Sequence, residues 1–152
     1  MKSILLALVS ILFVSCLSDG DASKPVDYTA QNEKEIVDYI AKNNLTALKG
    51  ENGLYYVINE AGTGKQPTAT SKVTVAYKGY FTNGNVFDES KDGISFGLNQ
   101  VIQGWTQGIP YFKEGGNGIL LIPARLGYGS YDKGPIPGGS VLVFDVKLIS
   151  VN

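Results

Sequence analysis

Residues 73–87 read VTVAYKGYFTNGNVF, and this stretch decides the fold. From residue 73 to residue 78, large apolar side chains alternate with small or polar ones, which predicts a strand with one buried face. Asn83-Gly84 follows, and this dipeptide favours a type I′ hairpin because both central positions of that turn need positive φ. We therefore expect the chain to reverse here and to return through Phe87 as a second, antiparallel strand.

Further strands are predicted on both sides of this hairpin. Residues 54–59 alternate in the same way, and residues 119–122 form a buried apolar run that Pro123 ends. Residues 141–151 alternate again and place Phe144 on the interior face. These segments predict an antiparallel sheet.

One short helix is predicted within the sheet-forming part of the chain. Between residues 99 and 108 the apolar spacing changes to three and four, which is typical of a helix with a single apolar side. The loop 127–139 holds five glycines and two prolines, so we expect it to be long and shaped by turns. Together these elements predict an α+β domain over residues 50–152, in which a curled antiparallel sheet of five to six strands wraps one short α-helix.

The first residues are typical of an export signal. An apolar run of eleven residues extends from Ile4 to Val14, which is too short to span a bilayer but suits a signal peptide. Cys16, the single cysteine, stands where this run ends, so residues 1–15 resemble a bacterial lipoprotein signal and Cys16 its lipidated residue. This predicts a protein anchored by lipid to a membrane of the bacterial cell envelope. An ordinary signal peptide with a coincidental cysteine is the alternative.

Between this leader and the domain, two further segments are predicted. Residues 16–27 are small and polar and indicate a flexible tether. Residues 28–49 indicate an amphipathic helix of about three turns, since apolar residues recur at helical spacing from residue 36 to residue 41. Thr29 or Asn32 is expected to cap its start. Its apolar stripe is expected to pack on the domain or on a second copy, which would form a homodimer; a solvated linker helix is the alternative.

Composition excludes several classes of function. The chain contains no histidine, which excludes imidazole-dependent triads, histidine metal sites and histidine general bases. With 13 Lys+Arg, 14 Asp+Glu and a net charge of -1, it has no basic surface for nucleic acid. The acidic cluster Asp88, Glu89 and Asp92 lacks the spacing of a calcium loop. We therefore expect neither a metal nor a cofactor.

Aromatic side chains from separate elements are predicted to point inward, and by composition alone they would form the core of a small β-rich domain. Their order along the chain indicates a site as well. Five segments resemble, in order and spacing, the FK506-binding family of peptidyl-prolyl cis-trans isomerases. They are VFDES at 86–90, VIQGW at 101–105, LGYG at 126–129, IP at 136–137 and VLVFDV at 141–146.

The resemblance covers residues 53–151 and implies a pocket between the helix and the sheet, with Trp105 as its floor. Asp88 and Tyr128 are implied to be the polar groups at its rim. The walls are implied to be Tyr77, Phe87, Ile94, Phe96, Val101, Ile102, Ile136 and Phe144. Ile94 stands at a position where family members commonly have an aromatic residue, and Gln100 stands where they commonly have an acidic one. These two differences are expected to affect ligand preference and catalytic rate more than the fold.

The resemblance implies an enzyme that rotates X–Pro bonds in exported polypeptides, with an FK506-like macrolide as a further ligand of the pocket. A rim with only Asp88 and Tyr128 predicts a preference for an apolar residue before proline. Phe87 and Trp105, as pocket residues, are expected to keep one ring face open to substrate. Two alternatives remain open: a binding module that holds proline-containing segments without turnover, and a lipoprotein that uses the fold for packing alone.

Overall fold

A six-stranded sheet carries a helix on each of its faces. The computed structural model of the chain describes residues 24–152, so the predictions for residues 1–15 and for Cys16 lie outside the described residues. The helices and strands, in chain order, are α1 (Thr29–Lys42), β1 (Leu48–Lys49), β2 (Tyr55–Glu60), β3 (Lys72–Tyr80), β4 (Val86–Gly97), α2 (Gln103–Gly108), β5 (Asn117–Ile122) and β6 (Leu142–Val151).

The sheet is antiparallel at every strand pair, in the order β1-β2-β5-β6-β3-β4. The last strand in sequence, β6, therefore lies near the centre, where Phe144 pairs with Leu120 on one side and with Gly79 on the other. This architecture confirms the predicted α+β class, with six strands and one short helix against the sheet. No helix within residues 24–152 is long and apolar enough to cross a membrane.

Where Leu120–Ile122 of β5 pair with Leu142–Phe144 of β6, both strands are buried on both faces, which explains these two continuous apolar runs. Leu120 and Phe144 belong to the core cluster on the α2 side of the sheet. Their sequence neighbours Leu121 and Val143 belong to a second cluster beneath α1. Because successive strand residues point to opposite faces, one apolar run serves both cores.

Two glycines allow α2 to lie close against β5. A Cβ atom added to Gly104 would lie 2.5 Å from Ile122, and one added to Gly108 would lie 2.8 Å from Leu120. Real side chains do not tolerate such distances, so any larger residue would push the helix away from the strand. This close approach places Trp105, on the same helix, in the main core.

The helix α1 packs on the outer face of the sheet of its own chain. Ile36 is fully buried against Leu121, Val141 and Val143, whereas Val37 is 46% exposed. The expectation that the stripe packs on the domain is confirmed. The helix ends at Lys42 and not at residue 49 as predicted, because Asn44 takes a positive φ of 52° and the chain then continues into β1.

The predicted caps of α1 are wrong. The helix has no side-chain cap hydrogen bond at its first residue, and the backbone N–H of Thr29 instead donates to the Asp27 carboxylate at 2.9 Å. Asn32 lies one turn inside the helix and is only 1% exposed, because its carboxamide binds backbone groups of a distant loop. The Asn32 side chain therefore makes buried hydrogen bonds to a distant loop and does not cap the helix.

The β3–β4 hairpin forms where it was predicted, but its turn is not type I′. Among the residues of the turn only Gly84 has positive φ, at 90°, while Asn83 does not. The Gly84 N–H donates to the Phe81 carbonyl at 2.8 Å, and the Phe81 N–H donates to the Asn85 carbonyl at 2.9 Å. This is a three-residue loop with glycine in the left-handed position. The Asn83 side chain stabilises it by accepting from the Asn85 N–H at 3.0 Å.

Candidate active site

A cleft of about 720 Å³ opens between α2, the β3–β4 pair and the loop that precedes β6. Its accessible lining is mostly apolar, and it contains a few polar side chains at its edge. Concave apolar sites with few polar groups are typical of ligand-binding pockets. The side chains of its lining are Tyr77, Phe87, Asp88, Ile94, Phe96, Gln100, Val101, Ile102, Trp105, Tyr128, Lys133, Pro135, Ile136 and Phe144.

Every residue that the sequence analysis assigned to the pocket lies in this one cleft. They come from β3, β4, β6, α2, the turn before α2 and the loop after β5, so only the tertiary fold brings them together. Cys16 lies outside the described residues. Within residues 24–152 no group of three or more metal-ligating side chains is found.

The floor of the cleft is a cluster of aromatic rings around Trp105. Tyr77 and Phe144 meet its ring edge-to-face, with centroids 5.0 Å and 5.3 Å away. Phe96 lies tilted at 5.1 Å. Phe87 extends the cluster by meeting Phe144 at 5.5 Å, with the ring planes 89° apart. Such edge-to-face packing holds each ring in one orientation and gives the cleft a stiff apolar wall.

Trp105 is part of the core as well as the floor of the cleft. It is 5% exposed and so leaves little ring surface open to a substrate, contrary to the expectation for this residue, whereas Phe87 is half-buried. The indole N–H of Trp105 is buried and finds no acceptor among the described residues. A buried donor without a protein partner is uncommon.

A β-bulge brings two neighbouring residues of β4 to the same cleft. Gly79 pairs with Asp88 and Tyr80 pairs with Val86, so Phe87 is an extra residue opposite β3. Adjacent residues in a regular strand point to opposite faces, and the bulge interrupts that alternation. An aromatic wall and a carboxylate therefore both line the cleft although they are adjacent in sequence.

The carboxylate of Asp88 is held by a phenol from the neighbouring strand. The hydroxyl of Tyr77 donates to Oδ2 of Asp88 at 2.6 Å. Burial raises the pKa of Tyr77 above its usual value, and the hydrogen bond to Asp88 raises it further. The phenol is therefore neutral at physiological pH and continues to donate its proton to the carboxylate.

Tyr128 lines the same cleft and interacts electrostatically with Asp88. It is 40% exposed, and burial raises the pKa of its phenol, with the negative charge of Asp88 adding to the rise. No hydrogen bond from its hydroxyl to another described residue is found, so this O–H can donate to a ligand. The rim thus combines a free donor with a fixed acceptor.

The structure adds a cation to the rim that the sequence analysis missed. Lys133 lines the cleft together with Gly134 and Pro135. Backbone hydrogen bonds in both directions join Lys133 to Ile136, and Gly134 between them has a φ of 55°. The Gly-Pro pair was the available signal for such a turn. The polar groups at the rim are therefore not limited to Asp88 and Tyr128, as the sequence analysis expected.

Comparison with known proteins shows which family contains chains of this kind. Residues 63–149, more than half of the chain, match the family described as FKBP-type peptidyl-prolyl cis-trans isomerase. The chain belongs to this FKBP-type family. The matched range includes the whole cleft, from Tyr77 to Phe144.

Individual FKBP-type relatives are similar to the chain over most of its described length. The FKBP-type peptidyl-prolyl cis-trans isomerase FkpA of Aeromonas hydrophila is 40% identical over 126 residues, which are 80% of this chain and 47% of the relative. The probable FkpA of Neisseria meningitidis is 47% identical over 105 residues, 65% of this chain and 38% of the relative. The chain thus spans about half the length of these relatives, or less.

Solved structures agree with the FKBP-type fold. FkpA from Escherichia coli superposes with a TM-score of 0.68 at 38% identity, over 81% of this chain and 63% of that one. A peptidyl-prolyl cis-trans isomerase from Pseudomonas syringae superposes with a TM-score of 0.72 at 28% identity, over 85% of this chain and 98% of that one.

Proposed function

We propose that this FKBP-type protein catalyses rotation about X–Pro bonds in exported polypeptides. The observation that carries the proposal is the aromatic cleft itself: a floor of Trp105 and Phe144, a wall of Phe87 and a rim of neutral phenols beside one carboxylate. The composition supports it as well, because the chain has no histidine and the reaction needs no proton acceptor or nucleophile.

The barrier to this rotation is electronic. Resonance gives the peptide C–N bond partial double-bond character and opposes rotation by about 18–20 kcal/mol. Twisting the bond removes that resonance, so the carbonyl loses part of its dipole and the nitrogen regains its lone pair. The twisted amide is less polar than the planar one, and water stabilises the planar form more.

An apolar cleft therefore favours the transition state over the ground state. The rings of Trp105, Phe87 and Phe144 exclude water from the twisting bond, which removes the solvation that favours the planar amide. A millionfold acceleration requires a differential stabilisation of about 8 kcal/mol. Desolvation together with one or two positioned hydrogen bonds is of this size.

The polar groups of the cleft orient the substrate. The exposed hydroxyl of Tyr128 can donate a hydrogen bond to a substrate carbonyl oxygen. Asp88, fixed by Tyr77, is an acceptor for a substrate N–H. Rotation is confined to the X–Pro bond, because hydrogen bonds hold the substrate backbone and the proline ring packs on the aromatic floor.

The rim predicts which residues are accepted next to proline. An apolar side chain fits the wall formed by Ile94 and Val101. Lys133 additionally offers a partner to an acidic side chain. We therefore expect Leu-Pro and Glu-Pro peptides to be better substrates than Lys-Pro peptides.

The proposal includes a place in the cell and a small-molecule ligand. Lipid on Cys16 would hold the protein at a membrane of the bacterial cell envelope, with the residues before Val26 as its tether, since Val26 and Asp27 are hydrogen-bonded to the folded domain; the apolar run before the cysteine supports this. An FK506-like macrolide is proposed to compete with substrate for the cleft. A dimer through α1 is not included, because the stripe residue Ile36 is already fully buried in its own chain.

The deciding experiment measures cis/trans exchange of a Leu-Pro tetrapeptide with the purified full-length chain in detergent. Uncatalysed exchange takes tens to hundreds of seconds, so micromolar enzyme gives a clear acceleration by NMR exchange or protease coupling. The macrolide should abolish this acceleration. Exchange at the uncatalysed rate, together with measurable binding of the peptide, would replace the proposal by a proline-binding module without turnover.

A further inference from the structure

Asn32 is the only polar or charged residue within residues 24–152 that is buried, with 1% of its surface exposed. It lies on α1, on the face of the sheet opposite to the cleft, and lines no part of the cleft. Buried carboxamides are retained where their hydrogen bonds are satisfied, so the partners of this side chain indicate its role.

The carboxamide of Asn32 joins the two ends of one loop. Its oxygen accepts a hydrogen bond from the Ala124 N–H at 2.8 Å, and its nitrogen donates to the Gly139 carbonyl at 2.9 Å. Residues 124–139, here called the pocket loop, carry Tyr128 and Ile136 into the cleft. This one side chain thus bridges the points where the loop leaves and rejoins the sheet, beside the backbone hydrogen bonds that link Gly129 to Ala124 and Gly139 to Gly129.

The segment before Asn32 contacts the same loop twice more. The hydroxyl of Ser130 donates to the Val26 carbonyl at 2.6 Å. The ring of Tyr28 packs directly on Gly139, where an added Cβ would lie 2.6 Å from Cδ1 of the ring. These contacts lie at the outer side of the pocket loop, while its inner side forms the cleft wall.

We propose that Asn32 is a positioning residue of the active site: by clamping both ends of the pocket loop, it determines where Tyr128 and Ile136 meet the substrate. The inference rests on the proposed isomerase function. A loop of this length, rich in glycine, has many accessible conformations, and two buried hydrogen bonds to its ends select one of them.

The principal test is Asn32→Asp in the full-length chain. The introduced carboxylate keeps the shape and can still accept from the Ala124 N–H, but in its ionised form it cannot donate to the Gly139 carbonyl. At about pH 7.5 we expect kcat/KM for a Leu-Pro peptide to fall about tenfold, mainly through a higher KM. Asn32→Ala, which removes both hydrogen bonds, should do the same.

Lower pH should separate the two variants. Burial favours the protonated carboxyl, whose O–H can again donate to Gly139, so the loss in Asn32→Asp should shrink at about pH 5.5. Asn32→Ala should show the same loss at both pH values. Among the charged groups of this part of the chain, Asp27 and Glu33 each interact with Arg125, and Glu33 also pairs with Lys49. The pH dependence of kcat/KM in the wild type and in the control variant below measures how much these charges contribute.

Gln31→Glu is the matched control, because it adds the same charge one residue away on the exposed side of α1. Its KM should equal that of the wild type. Urea midpoints, measured first, ensure that each variant is compared while fully folded. Amide hydrogen exchange in residues 127–138 should be faster in both Asn32 variants and unchanged in the control.

Folded Asn32 variants with wild-type KM and wild-type exchange in the pocket loop would overturn the inference. If neither variant folds, Ser130→Ala removes the exposed contact to Val26, and an unchanged KM and loop exchange in that variant also overturn it. A wild-type chain without isomerase activity refutes the proposed function instead. In that case the peptide Kd, followed by the emission of Trp105, the single tryptophan, takes the place of KM.

Discussion

The phenol oxygen of Tyr77 lies 2.6 Å from Oδ2 of Asp88, and the two residues stand diagonally across β3 and β4 on the face that lines the cleft. The carboxylate is exposed while the phenol is half-buried. The pair therefore presents a fixed acceptor at the edge of an apolar site, with its orientation set from the protein side.

This pair predicts an activity that does not change with pH over a wide range. Burial, and then the bond to Asp88, raises the pKa of Tyr77, so the phenol stays neutral well above its ordinary pKa of about 10. The raised pKa of Tyr77 contributes to the stability of the folded state. This contribution is complete below the ordinary pKa of a tyrosine and is lost as pH rises through the raised pKa of Tyr77. We expect kcat/KM to be constant between about pH 6 and pH 9, measured by NMR exchange. A titration inside this range would contradict the assignment.

Removing the rim hydroxyl of Tyr128 should have a modest effect on activity and little effect on stability. In Tyr128→Phe one hydrogen bond to substrate is lost, worth about 0.5–1.5 kcal/mol, which corresponds to a several-fold lower kcat/KM. Tyr131→Phe is the matched control, since Tyr131 lies in the same loop, is 66% exposed and does not line the cleft. Equal losses in both variants would show that the Tyr128 hydroxyl has no specific role.

Phe87→Leu should slow isomerisation more than it destabilises the protein. Phe87 is half-buried and lines the cleft, so the change keeps apolar character but alters the shape of the wall. We expect a loss of about 1 kcal/mol in the free energy of unfolding and at least about tenfold in kcat/KM. Phe81→Leu, at a ring 5.0 Å from Phe87 that does not line the cleft, is the control.

If the urea midpoint of Phe87→Leu fell in proportion to its activity, the prediction would be contradicted, because Phe87 would then act only as a core residue. Truncation of Trp105, which is core as well as cleft floor, should lower stability and activity together. At 5% exposure its truncation to alanine is expected to cost about 3–5 kcal/mol of unfolding free energy, as for other buried aromatic residues. Trp105→Ala is therefore unsuitable for separating activity from stability.

Gly79→Ala should disturb the cleft from behind its aromatic wall. A Cβ at this position would lie 2.7 Å from the ring of Phe144 and 2.8 Å from the ring of Phe87, so both rings must move. We expect a destabilisation of about 1–3 kcal/mol and a lower kcat/KM, with shifted aromatic resonances of both rings. In Gly97→Ala the nearest atom is Oδ1 of the Asn99 side chain, which can rotate away, so this second strand glycine serves as control. Similar losses of activity in both variants would refute a specific role for Gly79.

Cys16→Ser should release the protein from membranes without changing the domain. The prediction rests on the apolar run that ends just before this single cysteine. Two or three acyl chains anchor a protein stably, since each buried CH₂ contributes about 0.8 kcal/mol. Membrane fractionation and intact mass measure the effect, and kcat/KM should equal that of the wild type. A wild-type protein that is freely soluble with an unmodified thiol would contradict the prediction.

Several elements could be predicted from the sequence because their signals are local. The alternation of β6 and the spacing around Trp105 each arise from the period of one element, and both were placed within a few residues. The position of the β3–β4 turn was equally local, since Asn83-Gly84 marks it. The type of the turn could not be predicted from this dipeptide. The Asn83 side chain accepts a hydrogen bond from the Asn85 N–H, and Asn83 does not take the positive φ that a type I′ turn needs.

The sequence by itself determined the α+β class, the short helix under the sheet and the set of aromatic residues that could form a site. Only the tertiary structure decided how they meet. The bulge at Phe87 depends on the pairing of β4 with β3, and Lys133 enters the rim through a turn that closes on Ile136. Asn32 could be predicted only as a cap, because its partners, Ala124 and Gly139, are 92 and 107 residues away. Periodicity reports which side of an element is buried, whereas hydrogen bonds across such distances depend on where the folded chain brings those elements together.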